Sequence, residues 1–254
     1  MIRLDQALVE RGLCESRERA RRAILAGQVR VNHQLAHKAS HAVKPEDSLA
    51  LVAAEKYASR GGHKLEHALK FFHLDVNGLT ALDLGASTGG FTDCLLQHGA
   101  AKIFAVDVGH GQLAWKLRQD PRVVVMEKTN ARYLTPETFP QPFDLAVIDC
   151  SFISLKKILP VAVDLLQPGG KIVALVKPQF EAGKAEADQG RGVITDPAIH
   201  ARVLDGLRKF VSTQAGLDWR DVVESPLLGP AGNKEFLALI EKIAGSRESK
   251  AGSP

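Results

Sequence analysis

Cysteine is scarce in this chain: three in 254 residues, Cys14, Cys94 and Cys150, with no Cys-x-x-Cys pair among them. That scatter argues against a disulfide framework or a zinc site and fits a reducing compartment. Long apolar runs are also missing, and nothing approaches the roughly 20 residues needed to span a bilayer. The opening Met1-Ile2-Arg3-Leu4-Asp5 is already amphipathic, so no secretory signal is expected. Internal repeats and low-complexity tracts are lacking too. What remains is ordinary for a globular protein, 45% hydrophobic and 24% charged residues, enough for one sizeable α/β domain and a small module. The expectation is a cytoplasmic monomer that needs no metal and no membrane.

Charge is unevenly spread. Of a net +4, residues 1–56 supply +3, with ten Lys/Arg against seven Asp/Glu; residues 57–254 hold 23 against 22. The excess near the N-terminus points weakly to a polyanionic partner. The same segment reads as helix, turn, helix, then short strands. Leu4, Ala7 and Leu8 form an apolar face ended by Gly12. Ser16 can cap a second helix with Ala20, Ala23 and Ile24 inward, closed by Gly27. Val29 and Val31 alternate with polar neighbours, a half-buried strand pattern. Arg17 and Arg21 make a like-charged i,i+4 pair, which is either a solvated basic face or an invitation to an anion.

Residues 53–62 read as a linker, and from His63 onward strands and helices alternate. Strands are expected at 79–84, 102–107, 123–126, 143–149 and 171–176, with a later one near 219–224 followed by an apolar segment at 235–240. Helices are expected near 63–72, 91–98, 110–118, 155–167 and 197–214. That βαβ rhythm predicts a parallel sheet covered on both faces. Residues 247–254 read as a disordered tail.

The most telling stretch is Asp83-Leu84-Gly85-Ala86-Ser87-Thr88-Gly89-Gly90-Phe91, between a strand and a helix. Glycines at such a turn let backbone approach a ligand closely. The spacing Gly-x-x-x-Gly-Gly does not meet the dinucleotide fingerprint. Asp83 at the mouth would repel a pyrophosphate but suit the ammonium and sulfonium of S-adenosylmethionine. Gly85, Ala86, Ser87, Gly89, Gly90 and Phe91 are therefore candidate cofactor contacts. Ligands of open parallel sheets bind beyond the carboxyl ends of the strands. Polar residues recur there: Asp107, next to Val108, for ribose hydroxyls; Asn130, next to Ala131, for an adenine edge; then Asp149 and Lys177.

Asp149-Cys150-Ser151-Phe152 lacks the two prolines usual in amine methylation, which is therefore disfavoured. Cys150 could be a nucleophile for cytosine carbon-5 methylation or a small residue packed beneath the strand end. Lys177, with Asp149, could hold a ribose hydroxyl. Whether the lysine acts as base or orients the hydroxyl stays open at this level.

Two resemblances sharpen this. Arg3-Leu4-Asp5-Gln6-Ala7-Leu8, Ser16-Arg17, Ala20, Ile24, Gly27 and Val29-Arg30-Val31-Asn32 resemble the RNA-binding module of ribosomal small-subunit protein four. That likeness implies that Arg3, Arg17, Arg21 and Lys38 face RNA phosphates. Ser59-Arg60-Gly61-Gly62 with Lys64-Leu65, the glycine turn, Ala105–Gly109, Thr129–Arg132, Asp149–Ser154, Val176–Glu181, Gly192-Val193, Asp196-Pro197 and His200 resemble FtsJ-like 2'-O-ribose methyltransferases. The whole is similar to the TlyA-type ribosomal RNA methyltransferases, often labelled haemolysin A. The resemblance implies an α/β fold: a Rossmann-like S-adenosylmethionine-dependent methyltransferase domain (59–246) behind a small α+β RNA-binding domain (1–58). It also implies cytidine 2'-O-methylation of ribosomal RNA, with Arg60 as a further RNA contact. The family's Lys-Asp-Lys-Glu tetrad falls on Lys64, Asp149, Lys177 and Glu235, with Glu181 and Glu224 as other candidates for the last place. No feature of a membrane-lytic protein is visible in the sequence, so lysis is treated as indirect or mis-assigned.

Overall fold

A computed structural model describes residues 1–52, 55–183, 186, 190, 192–214 and 216–243. The expected tail at 247–254 and positions 53 and 54 of the expected linker lie outside the described residues. The chain forms two compact units, Met1–Lys56 and the remainder from Tyr57. The expected linker is thus mostly structured: Tyr57 is buried and Gly61-Gly62 open a helix.

In the first unit, β1 (Ile2–Arg3) leads into α1 (Leu4–Glu10), whose Leu4, Ala7 and Leu8 are fully buried. Helix α2 (Arg17–Leu25) begins where Ser16 Oγ accepts the Arg19 N–H at 3.2 Å. Gly12 and Gly27, just past the two helices, take the left-handed conformations that stop them. Strands β2 (Val29–Val31), β3 (Gln34–Leu35), β4 (Ala42–Val43) and β5 (Leu49–Leu51) follow. β2 is central in a small antiparallel sheet with β3 and β5, and β1 pairs with β4. Val29 and Val31 point inward from β2, as their alternation predicts.

The second unit contains α3 (Gly61–Phe71), β6 (Thr80–Leu84), α4 (Gly90–Gln97), β7 (Lys102–Val106), α5 (Trp115–Arg118), β8 (Val123–Met126), β9 (Phe143–Ile148), α6 (Leu159–Leu165), β10 (Leu166–Val176), α7 (Pro178–Glu181), α8 (Pro197–Thr213), β11 (Leu217–Glu224) and β12 (Phe236–Lys242). Its seven-stranded sheet runs β11-β12-β10-β9-β6-β7-β8. The five strands β6 to β10 are parallel, but β12 joins β10, and β11 joins β12, antiparallel. The expectation of a parallel sheet is corrected at this edge. β11 and β12 need no helical crossover, because the turn around Gly229–Gly232 joins them as a hairpin.

Alternation splits the core into two layers. Leu82, Leu84, Ile148, Ile172 and Ala174 pack toward α6 and α8, while Ala81, Val147, Val173 and Leu175 share a cluster with residues of α3 and α4. The helix expected at 110–118 shrinks to Trp115–Arg118. The one expected at 155–167 divides into a 3₁₀ turn, Leu155–Lys157, and α6. Pro160 lies in the first turn of α6, where its missing N–H costs nothing.

Candidate active site

The site is built on the carboxyl ends of the parallel strands. Gly85 leaves β6 at φ +88°, and a Cβ placed on it would lie 2.8 Å from the carbonyl oxygen of Asp149. Only glycine lets these two strand ends close on each other. Gly90, opening α4, is equally hemmed in: a Cβ there would meet Ser59 Oγ at 2.2 Å and Gly62 N at 2.9 Å. The glycine turn and the start of α3 therefore approach each other closely, which brings Lys64 to the same neighbourhood.

Asp83 departs from the expected position at the mouth. It lies within β6, opposite Val147 and Ala105 on the flanking strands, and has no exposed surface. Its Oδ2 accepts from Thr92 Oγ1 at 2.6 Å, while Oδ1 has no hydrogen-bond partner among the described residues. Burial pushes this carboxyl up to about 7, against the opposing pull of the Thr92 hydrogen bond. Ala86, Gly90 and Phe91 are likewise buried in the turn's packing, and they and Gly89 do not line the cavity beyond it.

That cavity, 1180 Å³, lies over the strand ends and is lined by Gly85, Ser87, Asp107, Val108, Asn130, Ala131 and Asp149. Gln112, Arg132, Ser151, Phe152, Lys157 and Phe180 also line it. Four of these six (Arg132, Ser151, Phe152 and Phe180) fall in stretches that carry the family resemblance, but no sequence signal gave any of the six a role. Asp107 accepts from Ser87 N at 2.8 Å and Gly109 N at 2.6 Å. A carboxylate has further lone pairs, so ribose hydroxyls could still be received there. Asn130 Oδ1 accepts the Arg132 N–H at 3.1 Å and fixes the turn that follows β8. A second cavity of 660 Å³ opens at the opposite, amino-terminal ends of the parallel strands, around Phe139, Phe143, Leu166 and Pro168. Its lysine, Lys242, is committed to the carbonyls of Val163 and Leu166, so we place the chemistry in the larger cavity.

Four charged residues form two pairs. Lys177 Nζ lies 2.7 Å from Asp149 Oδ1 and donates to Ser151 Oγ at 2.8 Å. Lys64 and Glu235 make a buried ion pair, with relative exposures of only 6% and 1%. The register of β10 with β12 ends at Val176 opposite Phe236, so one further step sets Lys177 across from Glu235. The antiparallel edge thus ties the two pairs to one locus. Glu181 braces a loop instead, accepting from Ser154 Oγ and Leu155 N, and Glu224 is an exposed partner of Lys234. Of the three acids considered, Glu235 is the one that meets Lys64.

Known proteins resemble this chain in sequence and in fold. The family model for FtsJ-like methyltransferases matches residues 57–242, and the S4 domain model matches residues 2–49. The chain belongs to the FtsJ-like methyltransferase family. Among curated relatives, the 16S/23S rRNA (cytidine-2'-O)-methyltransferase TlyA of Mycobacterium tuberculosis is 49% identical over 92% of this chain and 87% of its own length. Hemolysin A of Brachyspira hyodysenteriae is 41% identical over 93% and 98%. A solved structure of a candidate hemolysin from Streptococcus thermophilus superposes with a TM-score of 0.73 at 45% identity, covering 95% of this chain and 88% of that one.

Within this family member Cys150 is not built as a nucleophile. Burial, with the Asp149 charge, pushes its thiol up to about 12 despite the nearby Lys177, and its Sγ contacts the Leu84 carbonyl at 3.5 Å. Of the residues expected to face RNA, Arg3, Arg17 and Arg21 converge on Asp5, whereas Lys38 is exposed and makes no bond to Asp5, although it directly precedes Ala39, whose carbonyl accepts the Asp5 N–H at 3.2 Å. Arg60, in the second unit, is exposed at the start of α3. Among the described residues no helix is long and apolar enough to cross a membrane, and no cluster of His, Cys, Asp and Glu is arranged to hold a metal.

Proposed function

We propose that this protein methylates the 2'-hydroxyl of cytidine in ribosomal RNA, with S-adenosylmethionine as donor, in the cytoplasm. The carrying observation is the Lys177–Asp149 pair at the edge of a cavity bordered by the glycine turn, with Glu235 across the sheet from Lys177. The donor fits the residues present. Gly85, without a side chain, borders the cavity where the ends of β6 and β9 close together; Asp107 and Asn130 line the same cavity and would receive ribose hydroxyls and an adenine edge; and the buried Asp83 has an unsatisfied oxygen beneath the turn. S-adenosylmethionine supplies an electrophilic methyl on a sulfonium.

The chain's own residues then have a limited task, to hold and deprotonate one hydroxyl. Lys177 has three N–H donors; Asp149 and Ser151 take two, and the third can point at the ribose oxygen. Asp149 offers its carboxylate for the hydroxyl proton, and the ammonium steadies the negative charge that grows on oxygen. Lys64 and Glu235 fix the far side of the site as a rigid, desolvated pair. The test is mass spectrometry of ribosomal RNA nucleosides after incubation with labelled donor. The expected product is 2'-O-methylcytidine, formed equally well by Cys150→Ala. A 5-methylcytidine product, lost in that variant, would refute the proposal.

Phe152 extends the reading to the substrate base. It is 90% exposed, yet a bulky residue at φ +62°, with its ring 5.1 Å from that of Phe180 on the cavity rim. Such backbone costs about 1–2 kcal/mol, and the exposed ring gains no burial in return. A face for stacking the target base accounts for both, since stacking contributes about 1–3 kcal/mol. Phe152→Gly removes the strain and the ring together. Thermal stability should hold or rise, while RNA affinity falls roughly tenfold as lost stacking requires. Unaltered affinity in a binding titration would exclude the platform.

A further inference from the structure

The first unit contains a charged arrangement that methyl transfer does not use. Asp5, in the first turn of α1, has no exposed surface, and three arginines converge on it. Arg3 Nε donates to Oδ1 at 3.0 Å; Arg17 Nη2 and Arg21 Nε each donate to Oδ2 at 3.0 Å. A fourth, longer bond of 3.5 Å comes from Arg3 Nη2. The chain order explains the meeting. Arg3 immediately precedes α1, and Arg17 and Arg21 stand one turn apart on α2. Burial alone would raise the Asp5 carboxyl, but hydrogen bonds from Arg3, Arg21 and Arg17 outweigh it and hold the group well below the usual carboxylate range.

The like-charged pair Arg17/Arg21, which the sequence leaves open to an outside anion, therefore has an internal one. One carboxylate cannot satisfy three guanidiniums. The cluster keeps two uncancelled positive charges, and most of its fifteen or so N–H donors, five per guanidinium, remain uncommitted. The three side chains stay 47%, 50% and 54% exposed while their shared acid lies beneath them. An acid placed this way organises the cations more than it masks them.

The resemblance to an RNA-binding module already turns these arginines toward RNA phosphates; we infer that Asp5 is the positioning residue that preassembles Arg3, Arg17 and Arg21 into a single grip on one phosphodiester. This rests on the reading of the chain as an RNA-modifying enzyme. Long cationic side chains normally lose rotamer freedom when they grip a phosphate; here much of that ordering is already complete in the fold. Arginine suits the task because its planar fork matches phosphate oxygens.

Simple electrostatics and positioning predict opposite signs. Asp5→Asn removes a negative charge, so Coulomb attraction alone would tighten RNA binding and steepen its salt dependence. Positioning predicts weaker binding and a salt slope shallower by about one for each phosphate that is no longer gripped. The experiment titrates full-length protein against ribosomal RNA over a salt series. It compares wild type, Asp5→Asn, the triple variant Arg3→Ala/Arg17→Ala/Arg21→Ala, and the triple variant carrying Asp5→Asn as well. Asp5→Asn should weaken binding about tenfold in the native background, the effect of disordering one phosphate grip, and have no further effect in the triple variant. A second variant, Arg3→Lys/Arg21→Lys, keeps every charge and Asp5 itself but loses the fork geometry, and it too should bind more weakly. Equal or tighter binding by Asp5→Asn overturns the inference, as does an equal loss in both backgrounds or wild-type affinity in the lysine variant. If wild type itself fails to bind ribosomal RNA, the enzymatic reading falls and this inference with it.

Discussion

Replacing Lys177 by alanine is expected to lower the rate of methyl transfer roughly 10³-fold, about 4 kcal/mol in the barrier. Affinity for S-adenosylmethionine should change by no more than about twofold, because Lys177 is not among the residues lining the cavity proposed for the donor. The physical basis is the double commitment of its ammonium to Asp149 and Ser151, which leaves one direction for a substrate oxygen. The fold should tolerate the change. Asp149 keeps 26% of its side-chain surface in water and can be solvated once its partner is gone. Single-turnover kinetics with labelled donor, alongside calorimetry of donor binding, separates the two effects. Wild-type turnover in this variant would remove Lys177 from the mechanism, whereas loss of donor affinity would recast it as a binding residue.

Glu235→Gln should behave differently, because it strikes stability and catalysis together. Lys64 and Glu235 face each other with almost no solvent access, so neutralising the acid leaves a buried ammonium without its counter-charge. Breaking such a pair from one side costs about 3–5 kcal/mol. For a domain of this size that is a fall in Tm of roughly 10 °C. Lys64→Met/Glu235→Leu, which removes both charges, should regain most of the lost stability, since apolar replacements of buried pairs are often neutral. It should nevertheless remain impaired in methyl transfer. Calorimetric melting of the two variants checks the first claim and labelled-donor assays the second. A doubly substituted protein with full activity would reduce the pair to a packing element.

Much of this was legible in the sequence, and for identifiable reasons. The strands β6 to β10 are buried on both faces, so they read as short apolar runs with polar residues at their ends. Those ends are Asp107, Asn130, Asp149 and Lys177. Ser16, Gly12 and Gly27 marked the helix limits of the first unit through capping chemistry that is local in the chain. What escaped was non-local. No periodicity in residues 217–242 says that the last two strands run antiparallel, because a hairpin at a sheet edge carries the same apolar pattern as a parallel strand. Asp83 read as a ligand-facing acid since its position beside the glycine turn is clear, but whether its side chain points to the mouth or to Thr92 depends on strand alternation counted from the far side of the sheet. Likewise nothing in the sequence gave Asp5 a role of its own, and only the packing of α2 on α1 reveals the three guanidiniums around it.

On the proposed roles of Lys64 and Glu235, the sheet's edge hairpin also sets when activity can first exist. Lys64 and Glu235 stand 171 positions apart, and the acid immediately precedes β12, the last strand of the sheet in chain order. A nascent chain would therefore be inert until its last segment had docked, and peeling that segment away would silence the enzyme while the parallel core survived. Loss of methylation should precede loss of helical circular dichroism during gentle denaturation, making turnover an early alarm for fraying at one border.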